Sequence, residues 1–190
     1  MRNLKKLYVA LILFALSLTL VTATPVEAKK HLIGSMDLEY NVLWPGPQTD
    51  IPDWVGTITF EGDSTEYGMA FFAFGSGKPF GAKQTGMAFF FAEIWKIYDW
   101  VELITYIDDD GNVFQRVEYG EILMWGYDYG VTNLANSKYH MNGDVRSDNL
   151  YGKYAGRNVH MSGIIEWQVL ETPDGSVVAP YKAPGTFRIN

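Results

Sequence analysis

The stretch Tyr139–Gly163, YHMNGDVRSDNLYGKYAGRNVHMSG, contains two near-copies of one tetrapeptide: HMNG at His140–Gly143 and HMSG at His160–Gly163. Successive side chains of an extended chain point to opposite faces. Along KYHMNGDV this rule places Tyr139, Met141, Gly143 and Val145 together, opposite Lys138, His140, Asn142 and Asp144. Along YAGRNVHMSGIIEW it groups Ala155, Val159, Met161, Gly163, Ile165 and Trp167, opposite Asn158, His160, Ser162 and Glu166. A hairpin turning near RSDNLYGK pairs residues whose numbers sum to about 300, and any even sum leaves both histidines on the polar face. The echo therefore reads as two neighbouring half-buried strands and not as a sequence repeat.

The same period of two extends through the rest of the chain. In SMDLEYNVLW, Met36, Leu38, Tyr40, Val42 and Trp44 alternate with Ser35, Asp37, Glu39 and Asn41, as a half-buried strand requires. Three prolines in PGPQTDIPD then break the chain, and WVGTITFEGD and YGMAFFAF read as further strands. GSGKPFGAKQTG, Gly75–Gly86, reads as a long glycine-rich loop. Residues 87–103 carry mixed signals. Their phenylalanines, Ile94, Trp95, Ile97 and Trp100 favour strand, whereas Glu93, Lys96, Asp99 and Glu102 recur every third residue, as the polar stripe of a helix would. The strand reading is preferred, and it demands that a partner subunit or another segment cover an apolar outer face. YIDDDGNVFQRVEY predicts a hairpin turning at Asp110-Gly111, EILMWGYDYGVTNL a further strand, and GTFRIN a short terminal one. Many short strands between Gly/Asn/Asp turns point to an all-β antiparallel barrel of about eight strands, with a β-sandwich as the alternative.

The N-terminus reads as a secretory signal peptide over residues 1–28. Arg2, Lys5 and Lys6 precede an apolar run from Leu7 to Val21, and Val26-Glu27-Ala28 places small residues at −3 and −1 of a cleavage site. An uncleaved N-terminal anchor is the alternative. Either way the domain, residues 29–190, is expected outside the cytoplasm, secreted or in the cell envelope, with no stable membrane insertion after cleavage. Cysteine is absent, so neither disulfides nor thiol chemistry is available, and stability must come from the core alone or from the core plus homo-oligomerisation. The precursor carries 15 basic and 22 acidic residues. Cleavage would leave 12 against 21, with no basic stripe for nucleic acid or anionic membranes. Aromatic residues make up 15% of the chain, enough to fill a core, line a cavity or cover an interface.

Motifs for chemistry are sparse. A cross-strand His140–His160 pair could begin a zinc or copper site, but such a site wants a third ligand and Asp144 lies too far along the strand; two exposed histidines is the ordinary reading. An EF-hand loop begun at Asp108 would need glycine where Val113 stands. GSGKPFG lacks Walker spacing, and neither a Gly-x-Ser-x-Gly elbow nor an HExxH helix occurs. No cofactor is indicated. Two charges break apolar faces instead. Arg157 is in line with Val159, Met161 and Ile165, and Glu93 stands between Phe91 and Trp95. A buried arginine needs an internal carboxylate, an anionic ligand group, or a strand-end position that reaches water.

LYGKYAGRNVHMSG, with Gly152-x-Tyr154-x-Gly156 entering a strand, resembles the Gly-Lys/Arg-aromatic-x-Gly stretch of the allene oxide cyclase and dirigent-like barrels. That resemblance implies an eight-stranded antiparallel barrel, often trimeric, holding an apolar or aromatic ligand; the cyclases' catalytic residues have no counterpart that can be placed here. The function expected is non-enzymatic binding of a small apolar or aromatic molecule. Phe89, Phe91, Trp95, Tyr139, Met161 and Trp167 are the wall candidates, and Arg157 and Glu93 the charges that orient or polarise. A cyclase or isomerase on the same barrel is one alternative, and a cell-envelope or carbohydrate-binding module with surface Trp and Tyr platforms is another.

Overall fold

The structure, a computed structural model, describes residues 31–41, 52–73, 79–83, 86–111, 113–172 and 175–190; within these, the side chains of residues 73, 79–83, 86, 87, 89, 91, 113, 114 and 172 are not described. The expected signal peptide and the apolar positions Val42 and Trp44 lie outside the described residues. His31–Asn190 forms one compact unit. Among the described residues there is no helix.

Thirteen strands are described: β1 (Leu32–Tyr40), β2 (Trp54–Phe60), β3 (Glu66–Ala73), β4 (Pro79–Lys83), β5 (Gly86–Tyr98), β6 (Val101–Ile107), β7 (Val113–Tyr119), β8 (Ile122–Asn133), β9 (Lys138–Asp148), β10 (Asn158–Ile164), β11 (Glu166–Thr172), β12 (Gly175–Lys182) and β13 (Gly185–Ile189). Eight of them close a ring in the order β1-β13-β10-β9-β8-β5-β3-β2, and β2 pairs back onto β1 to complete it. Every pairing is antiparallel. The molecule is thus a closed eight-stranded barrel with β4, β6–β7 and β11–β12 outside the ring. Closure removes the exposed sheet edges that so apolar a set of strands would otherwise present.

The opening echo occupies β9 and β10. Met161 pairs with Met141, Val159 with Gly143 and Gly163 with Tyr139, so the numbers sum to 302. His140 faces Ser162 and His160 faces Asn142. The two imidazoles are diagonal neighbours on the outer face, stacked with centroids 6.1 Å apart, and His160 Nδ1 lies 2.9 Å from Asn142 Oδ1. Between the strands, Gly152 and Gly156 adopt φ of 67° and 78°, left-handed values that favour glycine. They turn the chain around a buried Tyr154.

Residues 87–103 are strand, interrupted at Asp99–Trp100. Asp99 Oδ1 accepts the amides of Trp100 and Glu121, both at 2.8 Å, which breaks the strand and starts the β6–β7 hairpin. The three-residue charge spacing is dispersed by the pleat: Glu93 faces inward, whereas Lys96 faces outward with its ammonium 4.6 Å from the Phe72 ring centroid. The apolar outer face of β3 and β5 is covered by this hairpin, whose Val101 and Tyr119 pack on buried Ala70, Phe72 and Tyr98; the Tyr98 and Tyr119 rings stack at 4.8 Å. The hairpin turns where Asp110-Gly111 predicted, with Gly111 at φ 83° and its amide donating to Asp108 O at 3.0 Å.

The glycine-rich segment 75–86 is not entirely loop. β4 pairs with β5 through Pro79–Phe89 and Phe80–Ala88, because β5 runs past the end of β3 and leaves backbone donors and acceptors to satisfy.

Inward residues fill one half of the barrel. Ile58, Phe60, Trp95, Ile97, Met124, Val145, Val159, Phe187 and Ile189 are buried there. Phe187 meets Trp95 edge-on at 5.2 Å and Phe60 at 5.9 Å. A Cβ at Gly126 would collide with the Trp95 indole, so glycine on β8 makes room for the largest ring in the core.

Candidate functional site

The other half of the barrel is hollow. Its cavity measures about 650 Å³ and is lined by Met36, Leu38 and Tyr40 of β1, Trp54 of β2, Phe71 of β3, Met141 and Met161, among others. Trp167, Val178 and Pro180 of the β11–β12 hairpin extend the wall beyond the ring. That hairpin is joined to β1 by the Glu39–Lys182 pairing, where the two side chains form an ion pair at 3.2 Å.

Tyr139 is built into the wall by two glycines. A Cβ at Gly163 or Gly185 would collide with the Tyr139 hydroxyl, so their absence of side chains lets the phenol lie across β10 and β13 and donate to Ala183 O at 3.3 Å. Tyr40 and Trp54 meet edge-on at 5.1 Å, and Trp167 Nε1 donates to Ser137 Oγ at 2.8 Å.

Against this apolar lining stands a pair of buried carboxyls. Glu93 of β5 and Asp128 of β8 are cross-strand partners, 5% and 3% exposed, on the inner face. Glu93 lines the cavity. Both carboxyl oxygens of Asp128 are buried without a hydrogen-bond partner, as is Trp95 Nε1. Burial above all, and then the charge of Asp53, pushes the Glu93 carboxyl up to about 8. Burial and the neighbouring Glu93 likewise push Asp128 well above the usual carboxylate range. Tyr139 is raised by burial and then by Glu93. A carboxyl in an apolar wall without a counter-charge retains its proton near neutrality.

Of the candidates named from sequence, Glu93, Tyr139, Met161 and Trp167 meet at this cavity. Trp95 is fully buried in the filled half, against Phe187. Phe89 and Phe91 of β5 pair with Thr132 and Gly130 of β8; their side chains lie outside the described residues. Arg157 does not line the cavity. It immediately precedes β10, half-buried, with its guanidinium 5.3 Å from the Tyr154 ring centroid and its carbonyl accepting Val145 N at 2.9 Å. This is the strand-end placement among the three considered.

Asp128 is the residue that sequence reasoning missed. β8 is inverted: Met124, Gly126, Asp128, Gly130 and Thr132 point inward, while Trp125, Tyr127 and Tyr129 point outward, with Tyr127 42% and Tyr129 58% exposed. Hydropathy alone assigns those aromatics to the core. The available signal was the alternation of Gly126 and Gly130 around Asp128, a face too small to pack outward against anything yet suited to receive rings from across the lumen.

Among the described residues, no group of three or more His, Asp or Glu is arranged to hold a metal ion. No family model matches the chain, and neither does any curated protein or solved structure.

Proposed function

We propose that this chain is an exported protein that binds a small apolar or aromatic molecule inside its barrel. The observation that carries this reading is the cavity itself. Small eight-stranded barrels can be filled by their own side chains, and one half of this one is. The other half leaves about 650 Å³ walled by methionine, leucine and aromatic rings, within the ~300–1,000 Å³ range of small-molecule sites. The basic, apolar and small-residue sequence of the N-terminus supports location outside the cytoplasm.

Titration with N-phenyl-1-naphthylamine, a neutral fluorescent probe, tests the reading. Saturable one-to-one binding is expected, and Ala183→Phe, which places a ring in the cavity, should abolish it. Absence of saturable binding by the wild-type protein would refute the cavity reading. Native mass spectrometry of protein from its own source would then identify a co-purifying ligand.

A second reading, a carbohydrate- or envelope-binding module, is favoured by the outward row Trp125, Tyr127 and Tyr129, in which Trp125 and Tyr127 meet edge-on at 5.6 Å. Retention on insoluble polysaccharide that disappears in Tyr127→Ala and Tyr129→Ala would support this reading over the first.

A further inference from the structure

Glu93 is the one charged side chain among the described residues that line the cavity. Its cross-strand partner Asp128 offers two buried oxygens with no donor. Opposed inward residues of an antiparallel pair have Cβ atoms ~4.5–5.5 Å apart, so the two carboxyls occupy one patch of wall. Three neighbours couple to Glu93: Asp53, before β2, raises it, and Glu93 in turn raises Asp128 on β8 and Tyr139 on β9. Two are acids and the third is a phenol. Leaving such oxygens unpaired in a dry wall is costly, and the Glu93 carboxyl beside them lines a space that a ligand can enter.

We propose that Glu93 and Asp128 form the polar anchor of the cavity and select ligands that carry an amine on an apolar or aromatic body. The inference rests on the cavity reading and names the chemistry of its ligand. An ammonium brings N–H donors to the orphan oxygens and supplies the positive charge that the wall lacks. Aromatic walls, including Tyr40 and Trp54, favour a cation further. An anionic ligand such as a fatty acid would instead bring further negative charge to a patch that already has acids and no cation among the described lining residues. The empty site keeps a proton on the pair near neutrality, since Glu93 is pushed up to about 8. Entry of an ammonium therefore expels that proton to solvent: the ligand stays R–NH₃⁺, a carboxyl becomes a carboxylate, and one H⁺ is released. Affinity for an amine consequently rises with pH, approaching tenfold per unit below about pH 8, while affinity for a neutral isostere is flat.

Three probes of one shape separate the possibilities: naphthalen-2-ylmethanamine, naphthalen-2-ylmethanol and 2-naphthoate, measured by titration calorimetry at pH 7.5 in buffers of different ionisation enthalpy. The expected result is amine binding at least tenfold tighter than the alcohol, naphthoate weakest, and proton release with the amine alone. In Glu93→Gln/Asp128→Asn, a near-isosteric double variant, the amine-to-alcohol ratio should fall to about one and proton release should vanish. Equal affinity for amine and alcohol overturns the proposal but leaves the cavity reading intact. So does an amine preference that survives in the double variant. Failure of all three probes to bind overturns both.

Discussion

The two ends of this barrel each hold a pair of aspartate or glutamate side chains, and they treat them in opposite ways. At the filled end, Asp63 accepts the Thr65 amide at 2.9 Å and the Tyr67 and Tyr151 hydroxyls at 2.9 and 3.1 Å. The Thr65 amide foremost, followed by the Thr65 and Tyr67 side chains, holds its carboxyl down at about 2. Asp148 accepts three backbone amides, from Tyr151, Lys153 and Tyr154, at 2.8–3.0 Å. At the hollow end, Asp128 accepts none and Glu93 is pushed upward. The difference is one of position along the strand. Asp63 and Asp148 stand where strands pass into turns, and turns have amides left over. Glu93 and Asp128 are mid-strand, where the ladder has already used the neighbouring N–H groups. A mid-strand carboxyl can be satisfied only from across the lumen, and there the lumen is open.

The contrast between a packed and an open end can be tested by substitution, and the largest effect is expected from packing. Phe187→Ala removes the ring on which Phe60 and Trp95 rest and should lower unfolding free energy by about 4 kcal/mol in urea titration. A loss below about 1 kcal/mol would mean that this end is not the rigid one. Next is Asp148→Ala, which strands three buried or half-buried amides. Its expected loss is about 3 kcal/mol, read by the same titration.

At the hollow end the sign should reverse. A carboxyl whose folded value exceeds its ordinary one binds more protons folded than unfolded, so stability falls as pH rises. For Glu93 that window runs from the ordinary 4.5 to about 8. Thermal unfolding should show wild-type stability declining across it. Asp128→Asn should flatten the decline and gain about 1 kcal/mol at pH 8; if the variant loses stability at pH 8 instead, the orphan-carboxyl account is wrong. The smallest effect belongs to Tyr151→Phe, which removes one hydroxyl from Asp63. A small loss of stability is expected, together with an upward movement of the Asp63 titration followed by carboxyl NMR.

Where local pattern and environment agree, the fold was readable residue by residue. β9 and β10 alternate cleanly, so their facing and an even register followed from parity, although the actual sum is 302 and the histidines meet diagonally. The Asp110-Gly111 turn was equally plain because a left-handed φ there selects glycine. β4 was hidden by its proline, its glycine and the glycines around it, and forms because β5 offers it an edge. In the candidate site, Glu93, Tyr139, Met161 and Trp167 were found because each sits on, or interrupts, an apolar face. Arg157 drew attention by the same logic, but its strand has not yet begun at that point. Asp128 escaped because its strand displays its aromatics outward, where Tyr127 has the Arg146 guanidinium 5.3 Å from its ring centroid and Tyr129 has Phe90 at 6.4 Å.

By itself the amino-acid order determined which residues alternate, where the chain turns and that the fold is β, because these depend on neighbours one to four residues away. Tertiary structure alone decided that β2 returns to β1, that Glu93 meets Asp128 thirty-five residues later in the chain, and that one half of the lumen fills while the other stays open. Those outcomes depend on how eight strands are staggered around a ring. Stagger is set by the simultaneous packing of all the inward side chains, a balance that no single stretch contains.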